Sequence, residues 1–152
     1  MVRMRTITHP IGRLLKVATN QMARELANSA AQLDLTGQQM LILNYLGDQL
    51  ENQEKTLTVS QTELELEFNI RRSTTTEILQ RMEKRQLIQR RASTFDARQK
   101  VIELTEAGRK YLPQIKAFMR EHDEKVLGTL TDAELAAVQK FFQNINDLES
   151  QK

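Results

Sequence analysis

From Ile11 to Leu33 apolar residues recur every three or four positions: Ile11, Leu14, Leu15, Ala18, Met22, Leu26, Ala30 and Leu33. That spacing keeps one stripe of a 3.6-residue helix apolar, so it predicts a long amphipathic first helix. Pro10 suits the first turn, where a missing N–H costs nothing, with Thr8 or His9 before it as cap. Asp34 and Gly37 interrupt the stripe, and Thr36 followed three residues later by Gln39 is a capping box that opens a second helix. The run "MLILNYL", residues 40–46, is apolar nearly all the way round. A helix tolerates that only when covered on several sides, so a central buried helix is expected there. Residues 47–58, "GDQLENQEKTLT", are polar and read as a long connector.

Beyond the connector the pattern tightens. Ser60 and Glu63 have the spacing of another capping box, starting a short helix with Leu64 and Phe68 inside. Asn69 accepts a left-handed backbone and can end that helix in a sharp turn, with Ile70 filling the corner. In "RRSTTTEILQRMEKRQLI", Thr75, Ile78, Leu79 and Met82 make one apolar face. Arg72, Ser73, Thr74, Thr76, Glu77, Gln80 and Arg81 make the polar one. Two short helices joined by a tight turn, the second basic at its start, is the plan of a helix-turn-helix. Leu87–Arg91 and Lys100–Leu104 then read as two strands around a polar turn. Thr105 caps a fifth helix through Tyr111, Ile115, Phe118 and Leu127, with a kink expected at the internal Pro113. Thr131 and Glu134 form a capping box before a last helix striped by Leu135, Val138, Phe141, Phe142, Ile145 and Leu148.

Charge sharpens this reading. Residues 71–100 hold nine Lys or Arg against Glu77, Glu83 and Asp96, a net of +6 in a chain whose total is +2. The rest of the chain is therefore net acidic. A basic block of this kind is the footprint of a nucleic-acid binder, because each phosphate contact releases condensed counterions. Four hydroxylated residues in a row, Ser73 to Thr76, are poor helix formers. One can cap the helix; the others suit contacts with phosphates and base edges.

The order "LTGQQMLIL", "VSQTELELEFNIRRSTTTEILQRMEKRQLIQRR" and "DARQKVIELTEAG" resembles the multiple-antibiotic-resistance regulator (MarR) family of winged helix-turn-helix regulators. The resemblance spans about residues 35–110, and the Asp-x-Arg before a strand and "LTEAG" is its most specific part. It implies a mainly α fold with a small antiparallel β wing and one domain over residues 1–152. Residues 35–104 would be the DNA-binding lobe, and 8–33 and 105–149 the dimerisation helices. The implied function is that of a sequence-specific transcriptional regulator, a repressor by family default. It would bind a palindromic operator in double-stranded DNA as a homodimer and release it on binding a small aromatic or anionic effector. Arg71, Arg72, Ser73, Thr74, Thr76 and Gln80 would supply the recognition helix's contacts, and Arg98 and Lys100 those of the wing. Asp96 matches the acid that positions the wing arginine, expected to hold its guanidinium. Two departures stand out: Asn69 and Gln86 occupy positions where the family commonly has Gly. Gln86 must adopt a left-handed backbone or end its helix differently.

Other readings are thinner. A winged-helix adaptor that binds protein instead of DNA is the alternative, but it gives no reason to keep Arg98 and Lys100 beside a basic helix. The chain has no cysteine, which excludes disulfides, thiolate metal sites and thiol redox sensing. His9 and His122 are too far apart to suggest a metal site, and "EHDE", residues 121–124, reads as a solvated face. Met22 or Met40 could line an effector pocket, whose residues the sequence leaves unassigned. No catalytic triad, phosphate loop or carboxylate pair occurs in a supporting context, so neither an enzyme nor a cofactor is expected. Aromatics make up 5% and charged residues 28%. No run is long and apolar enough for a bilayer or a signal peptide, so a cytoplasmic protein without membrane attachment is expected.

Overall fold

The computed structural model describes residues 11–52 and 58–148. Pro10 and its cap at Thr8 or His9 lie outside these residues, as do 53–57 of the connector and residue 149. Helix α1 spans Ile11–Ala31. It ends where Asp34 turns left-handed at φ 57°, and the N–H groups of Asp34 and Leu35 donate to the carbonyls of Ala31 and Ala30. Helix α2, Gly37–Glu51, opens on the expected box: Gln39 N–H donates to Thr36 Oγ at 3.2 Å and Thr36 N–H to Gln39 Oε1 at 3.0 Å.

The connector expected from residue 47 onward is corrected here. Helix α2 continues through Gly47 to Glu51, because that glycine is a packing position and not a breaker. A Cβ on Gly47 would lie 2.8 Å from a Leu112 methyl, so the helix backbone itself lies against Leu112. The polar residues around it are simply α2's solvent side. As expected, α2 is central, with Met40, Ile42, Leu43 and Leu46 buried among Leu64, Leu79, Met82 and Ile102 of the same core.

Strand β1 (Val59–Ser60), helix α3 (Gln61–Glu67), helix α4 (Arg72–Lys84), β2 (Ile88–Ala92) and β3 (Lys100–Leu104) follow. The sheet is three-stranded in the order β1-β3-β2, antiparallel throughout, with Val59 opposite Ile102 and Ile88 opposite Leu104. The two-strand ribbon expected from the pattern is thus extended by β1, and β2 begins one residue later than expected. A two-residue strand has no period to detect.

The single kinked fifth helix is also corrected. It is two helices, α5 (Glu106–Arg109) and α6 (Leu112–Leu127), separated at Lys110 and Tyr111. Pro113 sits in the first turn of α6, where its missing N–H breaks no helical bond.

By internal contacts the chain forms two compact units, Met1–Ile115 and Lys116–Lys152. The second holds the rest of α6, the turn after it, and α7 (Asp132–Asn146). Thr131 and Glu134 cap α7 reciprocally, at 2.9 and 3.2 Å. None of the residues of α7 is buried.

Candidate nucleic-acid interface

The helix-turn-helix is built from caps and one left-handed residue. Ser60 Oγ accepts the Glu63 N–H at 3.1 Å and starts α3. The reciprocal half of the expected box is absent, because the Glu63 carboxylate accepts the Tyr45 phenol at 2.7 Å instead, tying α3 to α2. Burial, and then this bond to a carboxylate, pushes the Tyr45 hydroxyl well above the usual phenol range. Asn69 takes φ 48°. Its N–H reaches the Leu66 carbonyl and that of Ile70 reaches Glu65, a Schellman ending that turns the chain into α4.

Helix α4 buries Thr75, Leu79 and Met82, spaced i, i+4 and i+7, and exposes Arg72, Ser73, Thr74, Gln80 and Arg81. Its N-cap is Arg71, which makes no side-chain capping bond. None of the four hydroxyl residues caps the helix, contrary to expectation. Thr75 and Thr76 instead donate back to the carbonyls of Arg71 and Arg72 at 3.0 and 2.9 Å, a bond that satisfies a hydroxyl within its own helix. Ser73 and Thr74 are left exposed. Gln61, a residue the sequence reading passed over, donates to both Glu65 Oε1 and Thr76 Oγ, at 3.2 and 2.8 Å, and so fixes α3 to α4.

The basic block separates into two kinds of cation. Arg90 donates to Glu83 at 2.7 and 2.9 Å through its guanidinium, and its backbone N–H adds a third bond at 3.1 Å. Hydrogen bonding from Arg90 is the chief cause that holds the Glu83 carboxyl below the ordinary carboxylate range, outweighing the partial burial that would raise it. Arg91 pairs with Glu103 across the β2–β3 ladder at 2.7 Å, and Arg85 reaches the carboxylate and carbonyl of Asp34. These three arginines hold the lobe together. Among the described residues, no ion pair engages Arg71, Arg72 or Arg98. They remain available to an outside anion.

The wing begins where α4 ends. Gln86 adopts φ 60°, the costlier of its two expected options. Leu87 N–H donates to the Met82 carbonyl and Gln86 N–H to Glu83, completing a Schellman motif without glycine. Thr105 clasps this corner: its hydroxyl donates to the Gln86 carbonyl and its N–H to that of Leu87. Gly108 packs so closely that a Cβ would lie 2.1 Å from the Leu87 carbonyl oxygen. From this base β2 and β3 carry the turn 93–99, exposed from Thr94 onward. Asp96 does not hold the Arg98 guanidinium as expected. Its carboxylate accepts the backbone N–H of Arg98 at 2.9 Å, while its carbonyl accepts that of Gln99 at 3.0 Å. The acid shapes the turn and leaves the guanidinium exposed.

A family model described as the MarR family matches residues 33–99. The crystal structure of the transcription regulator MarR from Oenococcus oeni PSU-1 is 38% identical, covering 89% of this chain and 97% of its own, with a TM-score of 0.78. The chain belongs to the MarR family. A probable transcriptional regulator from Pseudomonas aeruginosa is 28% identical over 89% of this chain and 96% of its own, at a TM-score of 0.69. The S. aureus MepR–DNA complex, 21% identical over 92% and 96%, shares the fold at 0.73. No curated protein matches.

As a MarR-family transcription regulator, the chain thus carries a winged helix-turn-helix DNA-binding fold. Within it, Arg71, Arg72, Ser73, Thr74 and Gln80 are exposed on or beside α4, and Asp96, Arg98 and Lys100 on the wing. Thr76 is half-buried, its hydroxyl engaged with Arg72 and Gln61. Met40 is fully buried in the core, and Met22 is exposed on α1. An open basin of about 490 Å³ lies beside the end of α4, lined by Leu35, Thr36, Gln39, Arg81, Lys84 and Arg85 among others.

Proposed function

We propose that this regulator is a cytoplasmic repressor that binds a palindromic operator as a homodimer, and that a small anionic or aromatic molecule releases it. The observation that carries the DNA reading is the set of exposed arginines without an ion pair among the described residues, Arg71, Arg72, Arg81 and Arg98, in a lobe where Arg85, Arg90 and Arg91 are paired internally. Ser73, Thr74 and Gln80 add uncommitted donors and acceptors of the kind that read base edges. Arg98 and Lys100 act from the wing, with Asp96 shaping its turn. Thr76 contributes through its bond to Gln61, keeping α4 in place. Residues 35–104 form the reading lobe. Residues 8–33 and 105–149 join the subunits, a division supported by the exposed apolar residues Leu14, Val17, Met22, Phe142, Ile145 and Leu148 on α1 and at the C-terminal helix. Arg81 and Lys84 on the wall of the basin beside α4 suit a small anion.

The test is selection of fragments from the source genome by the full-length protein, followed by titration of the selected duplex at several salt concentrations. Preference over random duplex, with affinity falling steeply as salt rises, is the expected result. Equal, salt-insensitive retention of both duplexes would leave the winged helix without its proposed role.

A further inference from the structure

Phe95 is 97% exposed, at the tip of the wing. An isolated exposed apolar side chain needs no explanation by itself, but this one is placed on an ordered turn among cations. Ser93 N–H donates to the Gln99 carbonyl at 3.0 Å and closes the loop; Gln99 N–H returns to the Asp96 carbonyl. Phe95 N–H donates to Ser93 Oγ at 3.2 Å and Arg98 N–H to Asp96 Oδ1 at 2.9 Å. Both residues are thus fixed through their backbones while their side chains stay in solvent. The only acid in the turn is engaged with the backbone, and Arg98 and Lys100 lie within five residues of the ring. Cations and an apolar side chain are therefore presented together on the wing. An acidic protein partner would account for the cations alone; base steps in a minor groove account for the cations and the ring together.

We propose that Phe95 is a DNA-contact residue that inserts its ring partway between two base pairs from the minor-groove side, beside Arg98. The insertion unstacks the step and bends the duplex away from the wing. Pyrimidine–purine steps unstack most readily, so Phe95 confers a preference for such a step in the flank of each half-site, a position the recognition helix does not reach. This inference rests on the DNA-binding reading above.

The experiment uses the full-length protein and the duplex it selects from a random-sequence pool, with the fluorescent adenine analogue aminopurine placed in turn at each flanking step. Binding of the wild type should raise fluorescence at one step on each side. Phe95→Ala should lower affinity about tenfold or more and abolish the rise, with the salt slope unchanged because no phosphate contact is removed. Phe95→Leu, which keeps an apolar wedge, should retain part of both. Since Phe95 is 97% exposed, thermal melting of both variants should match the wild type. A wild type that selects no duplex overturns the DNA-binding reading itself. A wild type that binds DNA, with Phe95→Ala equal in affinity or with no unstacked step to lose, overturns this inference and leaves that reading intact.

Discussion

Asp34, Asn69 and Gln86 are the non-glycine residues with positive φ among those described, and all three do the same job. Each follows a helix end, and in each case the next residue's N–H reaches back over the last turn: Leu35 to Ala30, Ile70 to Glu65, Leu87 to Met82. Glycine is the usual occupant, since a side chain in this conformation costs roughly 1–2 kcal/mol, least for Asn and Asp. Gln86→Gly should therefore raise stability by about 1 kcal/mol, read from urea denaturation at fixed protein concentration, whereas Asn69→Gly should change it little. If Gln86→Gly is neutral or destabilising, the strain assigned to Gln86 is not there. On the wing, Arg98→Ala should weaken operator binding by about 1–3 kcal/mol per subunit and reduce preference for A·T pairs in the flanks. Asp96→Ala should weaken it less, by loosening the turn that its carboxylate ties to the Arg98 N–H. Titration of both variants against duplexes with A·T and G·C flanks measures this. Unchanged affinity in Arg98→Ala would remove the wing arginine from recognition.

Between elements, the wing is seated by a backbone contact and an ion pair. Gly108 on α5 lies against the Leu87 carbonyl that Thr105 N–H also uses. Gly108→Ala would drive a methyl into backbone, so a loss of roughly 2 kcal/mol or more is expected, with weakened DNA binding as the wing shifts. Chemical denaturation gives the first quantity. The Glu83–Arg90 pair joins α4 to β2. The Glu83 carboxyl is held below its ordinary value of 4.5, so the folded state favours the ionised form. Its contribution is therefore present above that pH and lost as pH falls through the lower folded value. Wild type and Glu83→Gln should differ in denaturation midpoint near neutrality and converge in acid. A gap that is constant with pH would mean that the carboxylate's charge plays no part.

For the whole molecule, the exposed apolar positions of α1 and α7 set the expectation. Leu14, Val17, Met22, Val138, Phe142 and Ile145 lie on helices that bury little of their own surface, Ala30 alone in α1 and nothing in α7. A second copy of the chain would cover such stripes, and folding and association would then be linked. Sedimentation should give a dimer at micromolar concentration, and Leu14→Glu with Phe142→Glu should give a less stable monomer. A well-folded wild-type monomer would contradict this. Such a dimer would also enter the DNA affinity, because two DNA-binding lobes joined together would meet the second half-site at high effective concentration.

What the sequence determined by itself is what neighbours along the chain can carry. The capping chemistry of Thr36, Ser60, Thr105 and Thr131 acts over three residues, and the stripes of α1, α4 and α7 over four. The helix-turn-helix and its wing, and with them the family, were legible at that range. The tertiary structure decided the rest, because it depends on partners far away in the chain. Val59 becomes a strand only because Ile102 lies beside it. Gly47 stays helical because Leu112 needs the space a Cβ would fill. Arg85, Arg90 and Arg91 look like the other cations of the basic block until Asp34, Glu83 and Glu103 are brought to them. Local periodicity records which face of an element is apolar. It holds no record of which distant charge or backbone will meet that face, and that meeting separates the arginines that build this lobe from those left to bind.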